Sequence, residues 1–251
     1  MIAREEVMAA AIARLIRDPS APPARHIAIG AASPIPAAAC WLVKMLGHDV
    51  RLSLLHRQSG NPFTAGTREL FDLAGQGRID LFFLGGGQID GEANINLIGT
   101  GDWPGRTARF PGSFGSAFMY LMVPRTILFR EEHSRRVLVP RVDIVSAPGV
   151  SERDVFRRGH AQALVTGRCV FSFDPGQSRF MLRSVHPGET LSSVRENTGF
   201  AFHADETVET TKPPSTEELT LLRGAVCQEM LATYPGFCRR VWGALPDPRV
   251  A

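Results

Sequence analysis

The stretch IDLFFLGGG, residues 79–87, decides how this chain is read. Five of its first six residues are apolar, and three glycines follow. Strands exposed on one face alternate apolar and polar residues. An unbroken run bounded by glycine instead suits a strand buried on both faces, which means a parallel sheet with helical crossovers. The neighbouring segments agree. HIAIG (26–30) and VRLSLLH (50–56) read as further short strands, separated by a proline-rich turn and a helix over about 36–46. TRELFDLAGQG (67–77) reads as a helix with Thr67 as its cap and Gly75 or Gly77 as its stop. Upstream, residues 3–17 space Val7, Ala11 and Leu15 as a helix does, and DPSAPPA ends it.

Downstream, PGSFGSAFMYLMV (111–123) is a glycine loop feeding a helix. RTILFRE and VDIVSAPG read as two strands. ALVTGRCVFSF and RFMLRSVH flank the turn signal DPGQ as a β-hairpin. TLSSVRENTG reads as a short helix ended by Gly199, and Ser215 with Glu218 as the capping box of a last helix running to about 231. No low-complexity linker divides the chain. The expectation is one domain over 1–251: a three-layer α/β/α sandwich with a largely parallel sheet and a mixed edge.

Composition narrows the function. The chain has 251 residues, 44% apolar and 21% charged, with a formal charge of +3. All but two of its 28 basic residues are arginine, the exceptions being Lys44 and Lys212. Guanidinium forks suit phosphate and carboxylate, but the arginines are scattered without basic blocks or interleaved aromatics, so nucleic acid is not an expected partner. Cys40, Cys169, Cys227 and Cys238 form no CxxC or Cys/His metal spacing, and no metal site is expected. They read as reduced thiols in a cytoplasm. No apolar run reaches the ~20 residues of a membrane span.

Ligands of parallel α/β sheets bind beyond the carboxyl ends of the strands. Three such places carry unusual residues: HRQSGNP after the second strand, GGGQIDGEANIN after the third, and the FPGSFGSA loop. Glycines allow close backbone approach, and exposed N–H groups can hold an anion or a developing oxyanion. Each stretch alone is also consistent with a plain tight turn. GSFGSA is neither GxGxxG nor a P-loop.

Taken in order, QSG, LGGGQIDGEANIN, RFPGSFGSA, ILFREEHSRRVLVPRVDIVSAPG and VHPGETLSSVRENTGF resemble the beta subunit of family I CoA-transferases, of the glutaconate CoA-transferase type. The resemblance runs from about residue 25 to 222. It implies the CoA-transferase/NagB-like fold and a heteromer with a homologous alpha subunit, αβ or α2β2. It implies a coenzyme A thioester as substrate and no permanently bound cofactor. Gly112, Ser113 and Gly115 match the loop expected near the thioester and pantetheine arm, with Phe114 in place of one family glycine. Gln88, with the backbone of Gly86 and Gly87, matches the loop expected to polarise the thioester carbonyl. In the turn of Asp90, Gly91, Glu92, Ala93, Asn94, Ile95 and Asn96, Ala93 replaces the usual glycine.

One departure bears on the chemistry. The family turn after the second strand supplies a glutamate that attacks the acyl-CoA and then carries CoA as a glutamyl thioester. Here the turn reads Gln58-Ser59-Gly60. A carboxamide is a poor nucleophile and does not readily form the glutamyl intermediates. Three accounts stand. The CoA site serves hydrolysis or decarboxylation of a dicarboxyl or ring-derived acyl-CoA, with Gln58 orienting substrate or water and the general base coming from the alpha subunit. Another carboxylate acts, such as Glu69 or Asp72. Or Gln58 is only a turn residue. His56, Arg57 and Arg68 lie close in sequence. His186 reads as a residue that fixes its turn, and Arg135 and Arg136 as surface or interface residues.

Overall fold

The computed structural model describes residues 1–55, 63, 65–102 and 104–244. Its strands are β1 (His26–Ile29), β2 (Arg51–Leu54), β3 (Leu81–Leu84), β4 (Gln88–Ile89), β5 (Ile95–Asn96), β6 (Gly99–Thr100), β7 (Ala108–Arg109), β8 (Arg125–Arg130), β9 (His160–Thr166), β10 (Cys169–Asp174), β11 (Arg179–Val185) and β12 (Glu209–Thr210). Its helices are α1 (Arg4–Ile16), α2 (Pro34–Met45), α3 (Thr67–Gly75), α4 (Ser116–Met122), α5 (Leu191–Asn197), α6 (Thr216–Leu221), α7 (Cys227–Leu231) and α8 (Pro235–Trp242). A π-helical turn, Leu222–Val226, joins α6 to α7.

Eight strands form one sheet in the order β12-β11-β10-β9-β8-β3-β1-β2. From β2 to β9 every neighbour is parallel. β10 pairs antiparallel with both β9 and β11, and β12 returns parallel to β11. The mixed edge expected from the sequence is therefore present, opposite β2.

Period-two alternation divides each central strand between two cores. Ile27, Ile29, Leu81, Phe83, Ile127 and Val165 point into one core, shared with α1, α2 and the helices after residue 215. Ala28, Phe82, Leu84, Leu128 and Leu164 point into the other, shared with α3, α4 and α5. This two-sided burial is why IDLFFL carries no polar alternation. Glu6, 1% exposed, closes the first layer: Arg223 Nε and Nη2 donate to its carboxylate at 2.7 and 2.9 Å, and Trp242 Nε1 donates at 3.2 Å.

Several local expectations change. Thr67 is the first helical residue of α3, and the cap is Gly66 at φ +65°. VDIVSAPG is not a strand. It makes a single bridge, Ala147 to Ile95, because its backbone is tied to side chains instead: the Val142 and Asp143 N–H groups donate to Asp90 and Gln88. ALVTGRCVFSF is two strands turning at Gly167–Arg168 rather than one. The Ser215–Glu218 capping box is present, but the chain continues past residue 231 into α8. Pro235 in the first turn of α8 is the start signal that announces it. All four cysteines are free and buried. Among the described residues, no helix is long and apolar enough to cross a membrane, and no cluster of His, Cys, Asp or Glu could hold a metal ion.

Candidate active site

The strand order reverses at β1. The chain passes from β1 through α2 to β2 on one side, then through α3 on the opposite face to β3 on the other side. The loops leaving β1 and β3 diverge there, and such a switch point opens a crevice at the carboxyl ends. A cleft of about 1190 Å³ occupies it. Its walls are the turn from Gly30 to Ser33, the glycines 85–87, the end of β8 and the loop from Phe110 to Ser116. Leu55 and Thr67 line it too.

Gly86 and Gly87 stand at the cleft wall. A Cβ on Gly87 would lie 2.2 Å from the Phe110 ring, so that ring covers a bare backbone. The Gly87 N–H donates to the Asn96 carbonyl at 2.9 Å, whereas the Gly86 N–H has no acceptor among the described residues. Gln88 is buried, and its amide lies inside the scaffold instead of on the cleft wall. Its Oε1 accepts from Asn96 Nδ2 at 2.7 Å and from the Asp143 N–H at 3.0 Å, and its Nε2 donates to Asp143 Oδ1 at 3.2 Å. Asp143 Oδ2 also accepts from the Gly101 N–H at 2.8 Å. The amide therefore ties the glycine loop to the β6–β7 hairpin that leads into Phe110.

The next turn is built on Asp90, which is 3% exposed. Its carboxylate accepts from the N–H groups of Glu92, Asn94 and Val142 and from Asn94 Nδ2, at 3.0–3.3 Å. Ala93 sits at φ +60°. The turn keeps the left-handed backbone that a family glycine would take freely, although alanine pays for it sterically.

Gly112, Ser113 and Phe114 line the cleft, with Gly115 directly behind. Gly112 lies at φ +103°, Gly115 at φ +113° and Phe114 at φ +48°. Phe114 too has kept a glycine-like conformation. Its ring is 68% exposed at the mouth of the cleft, 5.8 Å from that of Phe71 on α3. A Cβ on Gly115 would meet the Phe71 ring at 2.3 Å.

At the other end the cleft is charged. Arg130 closes β8, and Glu131, Glu132 and Arg136 follow. Burial would raise the Glu132 carboxyl, but hydrogen bonds from Ser134 and Arg136 outweigh it and hold the group below its ordinary value. Arg130 and Phe110 were not singled out from sequence. The rule applied to three strand ends also covers the end of RTILFR, and it would have found Arg130.

His186 is structural. Its Nε2 donates to the Thr166 carbonyl and its Nδ1 accepts from Thr211, both at 2.9 Å. VRENTGF docks α5. Val194 and Phe200 are core, Gly199 N–H donates to Leu138, and Thr198 holds His133. Arg135 and Arg136 are exposed. Gln58, Ser59 and Gly60, with His56 and Arg57, lie outside the described residues.

Comparison with known proteins agrees with this layout. The chain is 33% identical over 153 residues to the B subunit of 3-oxoadipate CoA-transferase from Pseudomonas knackmussii, covering 59% of this chain and 58% of that one. It is 32% identical over 160 residues to the cholesterol ring-cleaving hydrolase IpdB subunit of Rhodococcus jostii, covering 62% of each. The matches thus span about three-fifths of these relatives' length. Among solved structures, the decarboxylase AibA/AibB superposes with a TM-score of 0.75 at 26% identity, over 97% of this chain and all of that one. Glutaconate coenzyme A-transferase from Acidaminococcus fermentans superposes at 0.75 and 20% identity, over 88% of this chain and 94% of that one, which shows the shared fold. The family model described as coenzyme A transferase matches residues 43–197, most of the chain, and the chain belongs to that family.

Proposed function

We propose that this chain is the beta-type subunit of a cytoplasmic two-chain enzyme that cleaves an acyl-CoA, by hydrolysis or decarboxylation, instead of transferring CoA. The observation that carries the reading is the sequence Gln58-Ser59-Gly60, which the family resemblance aligns with the transferase glutamate turn. An amide there cannot form the anhydride and thioester that transfer requires. The cleft supports the rest. It is large enough for a thioester and part of the pantetheine arm, and Gly86 stands at its wall with an N–H that has no acceptor among the described residues. Similarity to a ring-cleaving hydrolase subunit and to a decarboxylase supports cleavage, and the paired names AibA/AibB and IpdAB support a second subunit. Gln58 then orients substrate or water, and the general base comes from the paired subunit.

Similarity to the B subunit of a CoA-transferase favours a second reading, transfer through another carboxylate. Glu131 and Glu132 stand at the cleft, yet Arg240 and Arg136 hold them in ion pairs. Co-expression with the paired subunit, followed by incubation with an acyl-CoA and an isotope-labelled free acid, separates the two. Cleavage predicts loss of acyl-CoA without labelled thioester; labelled acyl-CoA would overturn it. Gln58→Glu adds a test of place. In the active site, it creates a carboxylate that traps CoA as a mass-detectable adduct.

A further inference from the structure

The turn from Gly30 to Ser33 walls the cleft, yet it has few bonds of its own. It leads into α2, which opens Pro34, Ile35, Pro36. Ser33 stands at the N-cap, where a serine side chain usually accepts from the second or third helical N–H. Pro36 has no N–H to give, and the Ser33 side chain makes no cap bond. Among the described residues no backbone hydrogen bond closes the turn, and the first on the helix runs from the Ala37 N–H to the Ser33 carbonyl at 3.0 Å. The turn is held from outside. Tyr234, which immediately precedes α8 and is 204 residues away in sequence, is buried in the core that α2 shares. Its Oη donates to the Gly30 carbonyl at 3.4 Å. The Ser33 N–H faces the same oxygen, so one phenol spans both ends of the turn. Burial pushes the group up to about 12, and it stays a neutral donor at any working pH.

From this geometry we propose that Tyr234 is a positioning residue, whose hydroxyl fixes the Gly30–Ser33 turn in the shape that receives the CoA thioester. The inference rests on the acyl-CoA reading above. β1 pairs with β3, so this turn and the glycines 85–87 leave adjacent strands and line one cleft. A ligand bound there either finds the turn already formed or loses affinity to the entropy of ordering it. The hydroxyl is not needed for packing, which the ring supplies; what it adds is the hold on the cleft wall. The same pair of helices, α7 and α8, also reaches the other end of the cleft, where Arg240 is shared between Glu5 and Glu131. Both contacts come from a C-terminal hairpin that lies outside residues 43–197, the part matched by the family model.

The test uses the full chain co-expressed with its paired subunit. Tyr234→Phe keeps the ring and removes the hydroxyl. In amide hydrogen exchange, the peptide carrying Gly30–Ser33 should lose protection about three- to tenfold, while peptides of α8 change by less than about twofold. In calorimetry, pentanoyl-CoA should bind about three- to tenfold more weakly. Cys238→Ala, a buried change in the same hairpin, is the control: it should lower the melting temperature and leave pentanoyl-CoA affinity within about twofold. If Tyr234→Phe behaves as that control does, losing thermal stability and binding pentanoyl-CoA as wild type does, Tyr234 only packs. The positioning role is then overturned while the acyl-CoA reading survives. Unchanged exchange at Gly30–Ser33 overturns it as well. If the wild-type complex binds neither pentanoyl-CoA nor CoA, the acyl-CoA reading fails and takes the inference with it.

Discussion

Acid should unfold this protein partly through His133, and the size of the effect follows from its surroundings. The ring is buried between the layers. Its Nδ1 faces Thr166 Oγ1 at 2.8 Å and its Nε2 faces Thr198 Oγ1 at 2.9 Å. The Thr198 hydroxyl donates to the Val194 carbonyl at 2.7 Å, so Nε2 must donate to Thr198. Nδ1 is left to accept from Thr166, whose oxygen already takes the N–H groups of Arg168 and Cys169. Protonating Nδ1 breaks this arrangement inside a dry core, beside the Arg168 cation. Burial, then Arg168, pushes His133 down to about 4 from an ordinary 6.5. Because the folded value is the lower one, the unfolded chain binds the extra proton between those values. The contribution of His133 is complete above pH 6.5 and is lost as pH falls toward 4. Between about pH 7.5 and 5.0 the loss is about 2 kcal/mol, or about 4–8 °C in Tm for a chain of this size. His186 and His26 are also lowered, chiefly by burial, and shift wild-type stability in the same direction. The measurement is therefore a difference: urea unfolding of wild type and His133→Gln at both pH values. The stability advantage of wild type should shrink by about 2 kcal/mol on acidification. An advantage that stays constant to within about 0.5 kcal/mol would mean that His133 is solvated or already charged, and the reasoning would fail.

Three other substitutions probe the scaffold. Asp90→Ala strands three backbone N–H groups in the core and should cost at least about 3 kcal/mol, seen as a Tm drop of about 6–12 °C; a smaller drop would mean that water replaces the carboxylate. Gly87→Ala forces the tip of the Phe110 ring aside, so CoA-thioester affinity should fall more than about tenfold while Tm moves by only a few degrees. Phe114→Gly removes a left-handed strain of about 1–2 kcal/mol against a gain of about 0.4–1 kcal/mol in unfolded-chain entropy. Since its ring is mostly exposed, stability by urea unfolding should stay level or rise slightly, and a clear fall would show that the Phe71 contact matters more than the backbone.

The parallel half of the fold was legible because its signals are local and mutually consistent. IDLFFL, HIAI and RTILFR are runs with no polar alternation, and only a sheet covered on both faces accounts for three of them separated by helices. The parts that differed lack a periodic signature. VDIVSAPG has strand composition, but Asp90 and Gln88, about fifty residues away, take its backbone hydrogen bonds. The two-residue strands of QIDGEANINLIG are too short for any period to show. Gln88 is a site candidate through the family resemblance, and its hydrogen bonding is not legible in the sequence. Its actual partners, Asn96 and Asp143, become neighbours only after folding.

Ala93 and Phe114 show what a departure from a family pattern does and does not mean. At both places a glycine is expected and another residue stands there, yet both backbones remain left-handed, at φ +60° and +48°. The side chain changed and the geometry did not, because the surroundings over-determine the turn. At Ala93 these are four bonds to Asp90 and the Gly149 N–H on Asn94. A substitution of that kind costs stability and leaves the chemistry in place. On the proposed reading, Gln58 is of the opposite kind. Glutamine has nearly the shape of glutamate, but it lacks the ionised oxygen on which the transfer reaction depends.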